Sequence, residues 1–353
     1  MKKLKIFEPF ETESGDMIPN LEIAYSTYGE LNTNGDNVVW VCHALTANSE
    51  VVDWWKGLVG AGYVINPEEH FIICANVLGG CYGTTGPLSE IESGTEKYHH
   101  EFPLITIRDI VRVHQLLSNH LGIEKIKIGI GGSLGGQQIL EWSIMQPLLF
   151  ENLILIATNA RHSAYGIAFN EAQRLAIEAD PSWKENRDDA GLNGLLAARS
   201  IALLSYRHYE SYQSTQLELN NDQIDNYSAS RYQRYQGEKL VKRFNAFSYF
   251  TLSKAMDSHH VGRHRESIAA ALQKITAKTL VLNISNDILF PLSEQTYLAD
   301  QIENATLEIV ESIYGHDGFL IEVEKISLII KQFLNESKEH TKQINKLFNT
   351  TIK

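Results

Sequence analysis

Cysteine is scarce: Cys42, Cys74 and Cys81 are the only three in 353 residues, an odd number and too few to staple a chain of this length. Cys42 and Cys74 fall inside apolar, strand-like runs, where cysteine behaves as a small buried hydrophobe. A disulfide scaffold is therefore excluded, and a reducing cytoplasm is the expected location. Long apolar runs are missing too, since nothing approaches the ~18 residues that cross a bilayer. In Met1-Lys-Lys-Leu-Lys-Ile-Phe-Glu-Pro-Phe10, Glu8 and Pro9 arrive before a signal-like apolar segment develops, so neither secretion nor a membrane partner is expected. Positive charge is in deficit. The 31 Lys and Arg face 43 Asp and Glu, and the net charge of −12 argues against nucleic acid or an anionic membrane as a partner. No repeat of about 20 to 50 residues and no Pro/Gly linker divides the chain. With 43% hydrophobic residues it can bury one large core plus an elaboration.

The chain does contain a series of short, continuous apolar runs: Val38–Cys42, Phe71–Ala75, Ile126–Ile130, Leu153–Ala157, Thr279–Ser285 and Leu307–Glu311. Runs of strand length without alternation suit strands covered on both faces, as in a parallel sheet. Two alternating stretches, from Leu4 and from Leu21, predict antiparallel strands at the start. Apolar residues at helical spacing predict a helix from Thr106 to Leu121, stopped at Gly122, and a closing helix from Leu320 to Leu334. The charged tail from Asn335 to Lys353 is expected to fray or to continue as a solvated helix. Between 162 and 268 the pattern changes. No strand-like run occurs there, and Phe169–Ile177, Leu192–Leu204 and Tyr227–Met256 carry helical periodicity. The expectation is an α/β core formed by residues 1–161 and 269–353, its mostly parallel sheet flanked by helices on both faces, with 162–268 inserted as a helical lid.

The strand Ile126–Ile130 runs into Gly131-Gly-Ser-Leu-Gly135, a G-x-S-x-G pattern. Small neighbours let Ser133 occupy a strained strand-to-helix turn with its hydroxyl exposed at the top of a sheet. The helix from Leu134 to about Met145 aims its free amides at the same spot, making the Leu134 N–H a candidate oxyanion donor. The loop His43-Ala-Leu-Thr46 leaves an early strand where such folds place the second donor, here the N–H of Leu45. The glycine-rich loop Asn76–Pro87 lacks the lysine of a phosphate-binding loop, and two readings stay open for it, ligand loop or surface turn. Asp287 and His316 each follow a predicted strand, which gives the chain order Ser133, Asp287, His316 of an α/β-hydrolase triad. A hydroxyl is a poor nucleophile until a base takes its proton. His316 can act as that base, with Asp287 holding the imidazole in the right tautomer.

With these residues in view, the sequence resembles the homoserine O-acetyltransferases of the α/β-hydrolase superfamily over nearly its whole length. The resemblance is carried by His43-Ala-Leu-Thr46, Gly83-Thr-Thr-Gly-Pro87, Gly131-Gly-Ser-Leu-Gly-Gly136, Ala160-Arg161, Ala198-Arg199, Ser205-Tyr-Arg207, Tyr235-Gln-Gly-Glu-Lys239, Arg243-Phe244, Ala255-Met-Asp257 and Gly315-His-Asp-Gly-Phe-Leu320. It departs from the common family pattern at Thr84, at Ala47-Asn48 and at Leu134. The resemblance implies an α/β-hydrolase fold and transfer of acetyl from acetyl-CoA, a co-substrate rather than a resident cofactor, to the hydroxyl of L-homoserine in methionine synthesis. It further implies a ping-pong Ser133–His316–Asp287 mechanism, amino-acid binding by Arg199 and Asp317, Tyr206 near the substrate, and a cytoplasmic homodimer. Rival readings are serine as acceptor, succinyl as donor or, further off, an ester hydrolase.

Two weaker signals complete the reading. His259, His260 and His264 lie close together, but the Gly262 break spoils a common helical face, so no metal site is expected. Arg231, Arg234, Lys239, Lys242 and Arg243 form either a solvated helix face or a site for the phosphates of the acyl-CoA.

Overall fold

The computed structural model describes residues 1–336 apart from Ser93 and Thr95. The predicted tail lies outside the described residues from 337 onward. The strands are β1 (Lys2–Ile6), β2 (Phe10–Glu11), β3 (Met17–Ile18), β4 (Leu21–Tyr28), β5 (Val38–Cys42), β6 (Phe71–Ala75), β7 (Ile126–Gly132), β8 (Phe150–Ile156), β9 (Lys278–Ile284) and β10 (Ala305–Val310). Eight of them form one sheet in the order β1-β4-β6-β5-β7-β8-β9-β10, and β2 pairs with β3 in a separate ribbon. From β6 to β10 every pairing is parallel, while β4 and β1 add an antiparallel edge.

The continuous apolar character of β5 follows from its position. Val38, Trp40 and Cys42 enter the core on one face, and Val39 and Val41 enter the core on the other. The first core is roofed by α2 (Ile107–His120) and α3 (Leu134–Met145); α1 (Val51–Trp54) packs on the opposite face, with Val51 in the second core. Thr106 starts α2 with a capping box, its hydroxyl accepting from Asp109 N while the Asp109 carboxylate accepts from Thr106 N.

Between β8 and β9 lie α4 (Ala164–Glu178), α5 (Leu192–Tyr206), α6 (Tyr209–Gln216), α7 (Ser228–Val241), α8 (Ala246–Asp257) and the short α9 (Ile268–Leu272), with no strand among them. The helical stretch expected over Tyr227–Met256 is two helices rather than one. Asn245 interrupts it, because its side chain accepts from Ser248 N and caps a fresh helix. After β9, α10 (Leu292–Gln301) leads to β10. The closing helix is also broken: Gly318–Ile321 forms one short turn, Glu322 interrupts it, and helix resumes over 323–336.

One contact of the inserted helices fixes the site. Gly315, at φ +63°, has no room for a side chain, because a Cβ would lie 2.9 Å from His208 N and 3.3 Å from Tyr206 O. The carboxyl end of α5 thus packs directly on the turn that carries His316.

Candidate active site

Ser133 sits between β7 and α3 at φ 56° and ψ −124°, a conformation that L-residues rarely adopt. Its surroundings hold it there. Its N–H donates to Ile156 O at 2.9 Å, and Thr158 Oγ1 donates to its carbonyl at 3.1 Å. The flanking glycines are required by close backbone approach, since a Cβ on Gly131 would lie 2.3 Å from the Gly135 carbonyl and one on Gly135 would lie 2.1 Å from Cys42 O. In both cases the obstacle is main chain, which no rotamer change relieves. Gly135→Ala is therefore expected to destabilise the fold by about 3 kcal/mol or more, measurable as a shift in the urea midpoint at unchanged slope.

The three expected catalytic side chains meet. Ser133 Oγ lies 3.0 Å from His316 Nε2, and His316 Nδ1 lies 2.7 Å from Asp287 Oδ2. The other Asp287 oxygen accepts from Leu289 N at 2.8 Å and Phe290 N at 2.9 Å, so the carboxylate is anchored before it meets the ring. All three residues are at most 5% exposed. Phe290 stacks on the His316 ring at 5.1 Å, and Tyr206 and Phe319 lie at 5.6 and 5.3 Å. The aromatic box leaves the imidazole little freedom to leave the line between serine and aspartate.

Leu134 opens α3, where backbone N–H groups have no intrahelical partner, and Leu45 is buried in the loop after β5. Arg199 on α5 is half-buried, with its guanidinium carbon 5.4 Å from the centre of the Tyr206 ring. Burial raises the Tyr206 phenol above its usual range; the Arg199 charge opposes that shift and the Asp317 charge adds to it. Arg199, Tyr206 and Asp317 are thus neighbours beside His316. Asp317 precedes the turn Gly318–Ile321 but makes no side-chain cap bond there. Its Oδ2 instead lies 2.7 Å from Arg207 Nε, an ion pair that lacks the alignment of a hydrogen bond. Among the described residues Arg199 has no carboxylate partner of its own.

Sequence reasoning missed several residues here. Glu294, in the first turn of α10, accepts from Asn159 Nδ2 at 2.9 Å; burial, with the Asp287 charge adding to it, pushes its carboxyl up to about 7. The Phe290 stack, the Arg207 partner and the Gln138 bonds described below were missed as well. Only Arg207 carried a signal, because it stands in the motif Ser205-Tyr-Arg207.

The weaker signals divide. His259 Nε2 lies 2.7 Å from Asn159 O, burial lowers its pKa to about 3, and among the described residues no group of three or more His, Cys, Asp or Glu is placed to hold a metal. The basic run is not one face. Arg234 bonds Asn226 Oδ1 at 2.8 Å and Arg231 pairs with Glu218 at 3.5 Å, whereas Arg243, beyond α7, donates to Tyr82 Oη at 2.7 Å and to Thr46 O. An open cleft of about 1540 Å³ lies at the amino ends of the strands, lined by Lys127, Asn152, Lys278 and Lys331, and includes none of the triad. Its position at the wrong end of a parallel sheet separates it from the chemistry.

A serine at such an elbow, with its histidine and aspartate on loops after later strands of the same sheet, defines a serine enzyme of the α/β-hydrolase class. The chain matches the alpha/beta hydrolase fold family over residues 37–323. It is 46% identical over 330 residues to a homoserine O-acetyltransferase from Cyclobacterium marinum, covering 94% of each chain. The solved homoserine O-acetyltransferase from Bacillus anthracis superimposes with a TM-score of 0.87 at 25% identity, covering 95% of this chain and 97% of that one. Esterase E22 shares the fold, with a TM-score of 0.85 at 24% identity over 94% of this chain and 99% of its own. The chain belongs to the homoserine O-acetyltransferase family.

Proposed function

We propose that this protein transfers the acetyl group of acetyl-CoA to the hydroxyl of L-homoserine in two half-reactions, as a transferase of methionine biosynthesis. Ser133 attacks the thioester carbonyl while His316 takes its proton; the C–S bond breaks, and CoA leaves with that proton as its thiol. Homoserine then enters, His316 takes the hydroxyl proton, and the alkoxide attacks the acetyl-enzyme. O-acetylhomoserine departs, and Ser133 recovers its proton from His316. In each half-reaction the N–H groups of Leu45 and Leu134 receive the carbonyl oxygen as it becomes an oxyanion. The observation that carries this reading is the aligned Ser133–His316–Asp287 chain, with distances of 3.0 and 2.7 Å.

Homoserine is a zwitterion, and the neighbouring Arg199 and Asp317 offer a charge for each end. The planar fork of Arg199 suits the carboxylate and has no competing carboxylate among the described residues. Asp317, held by its ion pair with Arg207, takes the ammonium. Residues 162–268 act as a lid that separates the acceptor from water. Exposed Tyr165, Leu175, Leu204 and Tyr209 on the inserted helices supply apolar surface that a homodimer would cover, and the three free thiols suit a reducing cytoplasm.

Arg199 separates this reading from hydrolysis. Water is present at about 55 M, so homoserine wins the acetyl-enzyme only through positioning, for which effective molarities reach roughly 10⁵ M or more. Arg199→Ala is expected to lower kcat/KM for homoserine by at least about 30-fold, since truncating a buried charged pair costs about 2 to 5 kcal/mol. Arg199→Lys should lose less. Acetylation of Ser133 should persist in both, with more product lost to water. A kcat/KM within about twofold of wild type in the alanine variant would place the amino acid elsewhere and favour the hydrolase.

A further inference from the structure

The geometry points to Gln138 as the positioning residue that fixes the spacing of the oxyanion hole, by clasping both backbone segments that form it. Its side-chain amide donates to the carbonyl of His43 at 3.2 Å and to the carbonyl of Leu134 at 3.1 Å. His43 lies two residues before Leu45 in one segment, and Leu134 is the donor residue of the other. A single planar amide therefore bridges the two strips of main chain whose N–H groups must converge on one oxygen.

The third bond of that amide orients it. Gln138 Oε1 accepts from His114 Nε2 at 2.9 Å, and His114 Nδ1, buried without a partner, is the bare nitrogen of a neutral ring. Burial lowers the His114 pKa to about 4, so the ring stays neutral in the working range. The ring is itself immobilised, stacked on Trp142 at 5.7 Å and meeting the edge of Trp40 at 5.9 Å. His43 braces the same loop from its other side, with Nδ1 donating to Ala44 O at 2.9 Å and Nε2 accepting from Val77 N at 3.1 Å. Gly135 lets these segments approach, because a Cβ there would strike Cys42 O. Gln138, one turn later on α3, then locks the approach at hydrogen-bond distance. Donors arranged before the reaction stabilise an oxyanion without reorganising, and misplacement by about 1 Å can cost on the order of 10²-fold in rate.

This proposal rests on the Leu45/Leu134 oxyanion reading, and the test keeps the two apart. An alkyl trifluoromethyl ketone labelled with ¹³C at its carbonyl is added to the wild-type enzyme, and the Ser133 hemiketal is titrated by NMR. In the wild type the hemiketal oxygen should be ionised at neutral pH; a hemiketal neutral there would overturn the oxyanion reading itself. In Gln138→Met, which keeps the length but not the donors, the hemiketal should ionise about one pH unit higher. Its kcat should fall roughly tenfold, with KM for homoserine unchanged, as expected when donors are displaced rather than deleted. His114→Phe, which keeps a ring against the indoles and removes the N–H, should shift the titration in the same direction by less, and it provides the readout if Gln138→Met does not fold. An ionised wild-type hemiketal with an unshifted titration in the folded variants, whatever happens to Tm, would overturn the role of Gln138.

Discussion

Ser133→Ala is expected to abolish the acetyl-enzyme and to lower kcat by roughly 10⁴- to 10⁶-fold, the range seen when the nucleophile of a serine triad is removed. With labelled acetyl-CoA, wild type should retain one label per chain after denaturation and the variant none. A stoichiometric label on the variant would identify another nucleophile. Stability should separate this variant from Ser133→Gly. Alanine keeps the Cβ that makes φ 56° unfavourable, whereas glycine relieves it. The glycine variant should therefore be more stable than the alanine variant by about 1 to 2 kcal/mol, a direct reading of the strain stored at the elbow.

Acid should unfold the protein unusually early, because four histidines are buried as neutral rings. Burial lowers His43 and His114 to about 4 and His162 and His259 to about 3, against 6.5 when unfolded. Between those values the unfolded chain binds protons that the native chain refuses. Their contribution is therefore complete above pH 6.5 and is lost as pH falls toward 4. Glu294 acts with the opposite sign. Its folded pKa of about 7 lies above the ordinary 4.5, so it adds stability as pH falls through the same window. The net difference of about three protons corresponds to roughly 4 kcal/mol per pH unit, enough to exhaust a typical domain stability of about 5 to 15 kcal/mol within a few units. Urea midpoints between pH 7 and 4.5 measure this slope. Replacing His259 with Asn should reduce it by about one proton, and an unchanged slope in that variant would remove His259 from the account.

The triad was legible because each member follows an apolar run, and an apolar run of strand length states where in a parallel sheet its next loop emerges. The positions of Leu45, in the loop after β5, and Leu134, at the start of α3, were legible for the same reason. Gln138 and Glu294 were not, since His43 and His114, which Gln138 bonds besides Leu134 of its own helix, and Asn159, which Glu294 bonds, lie on segments distant in sequence, and nothing local marks a glutamine that bridges two carbonyls. The break at Asn245 hid inside a helical period that continues on both sides of it. The glycine-rich loop left two readings open, and the structure shows what holds it: Thr84 Oγ1 donates to Asn76 O at 2.7 Å and accepts from Ala24 N at 3.0 Å. That hydroxyl ties the loop to β4, a contact that the hydroxyl of a serine at this position could also make.

The seating of α5 on Gly315 means that the inserted helices are not an interchangeable module. A graft of another enzyme's insertion between β8 and β9 would bring its own end of α5 against the turn of residues 315–317, and any side chain at 315 would meet main chain. The histidine would move with the turn. Chimeras within this fold are therefore expected to work only when the insertion and the Gly315–Asp317 turn are exchanged together, although more than a hundred residues of chain separate the start of the one from the other.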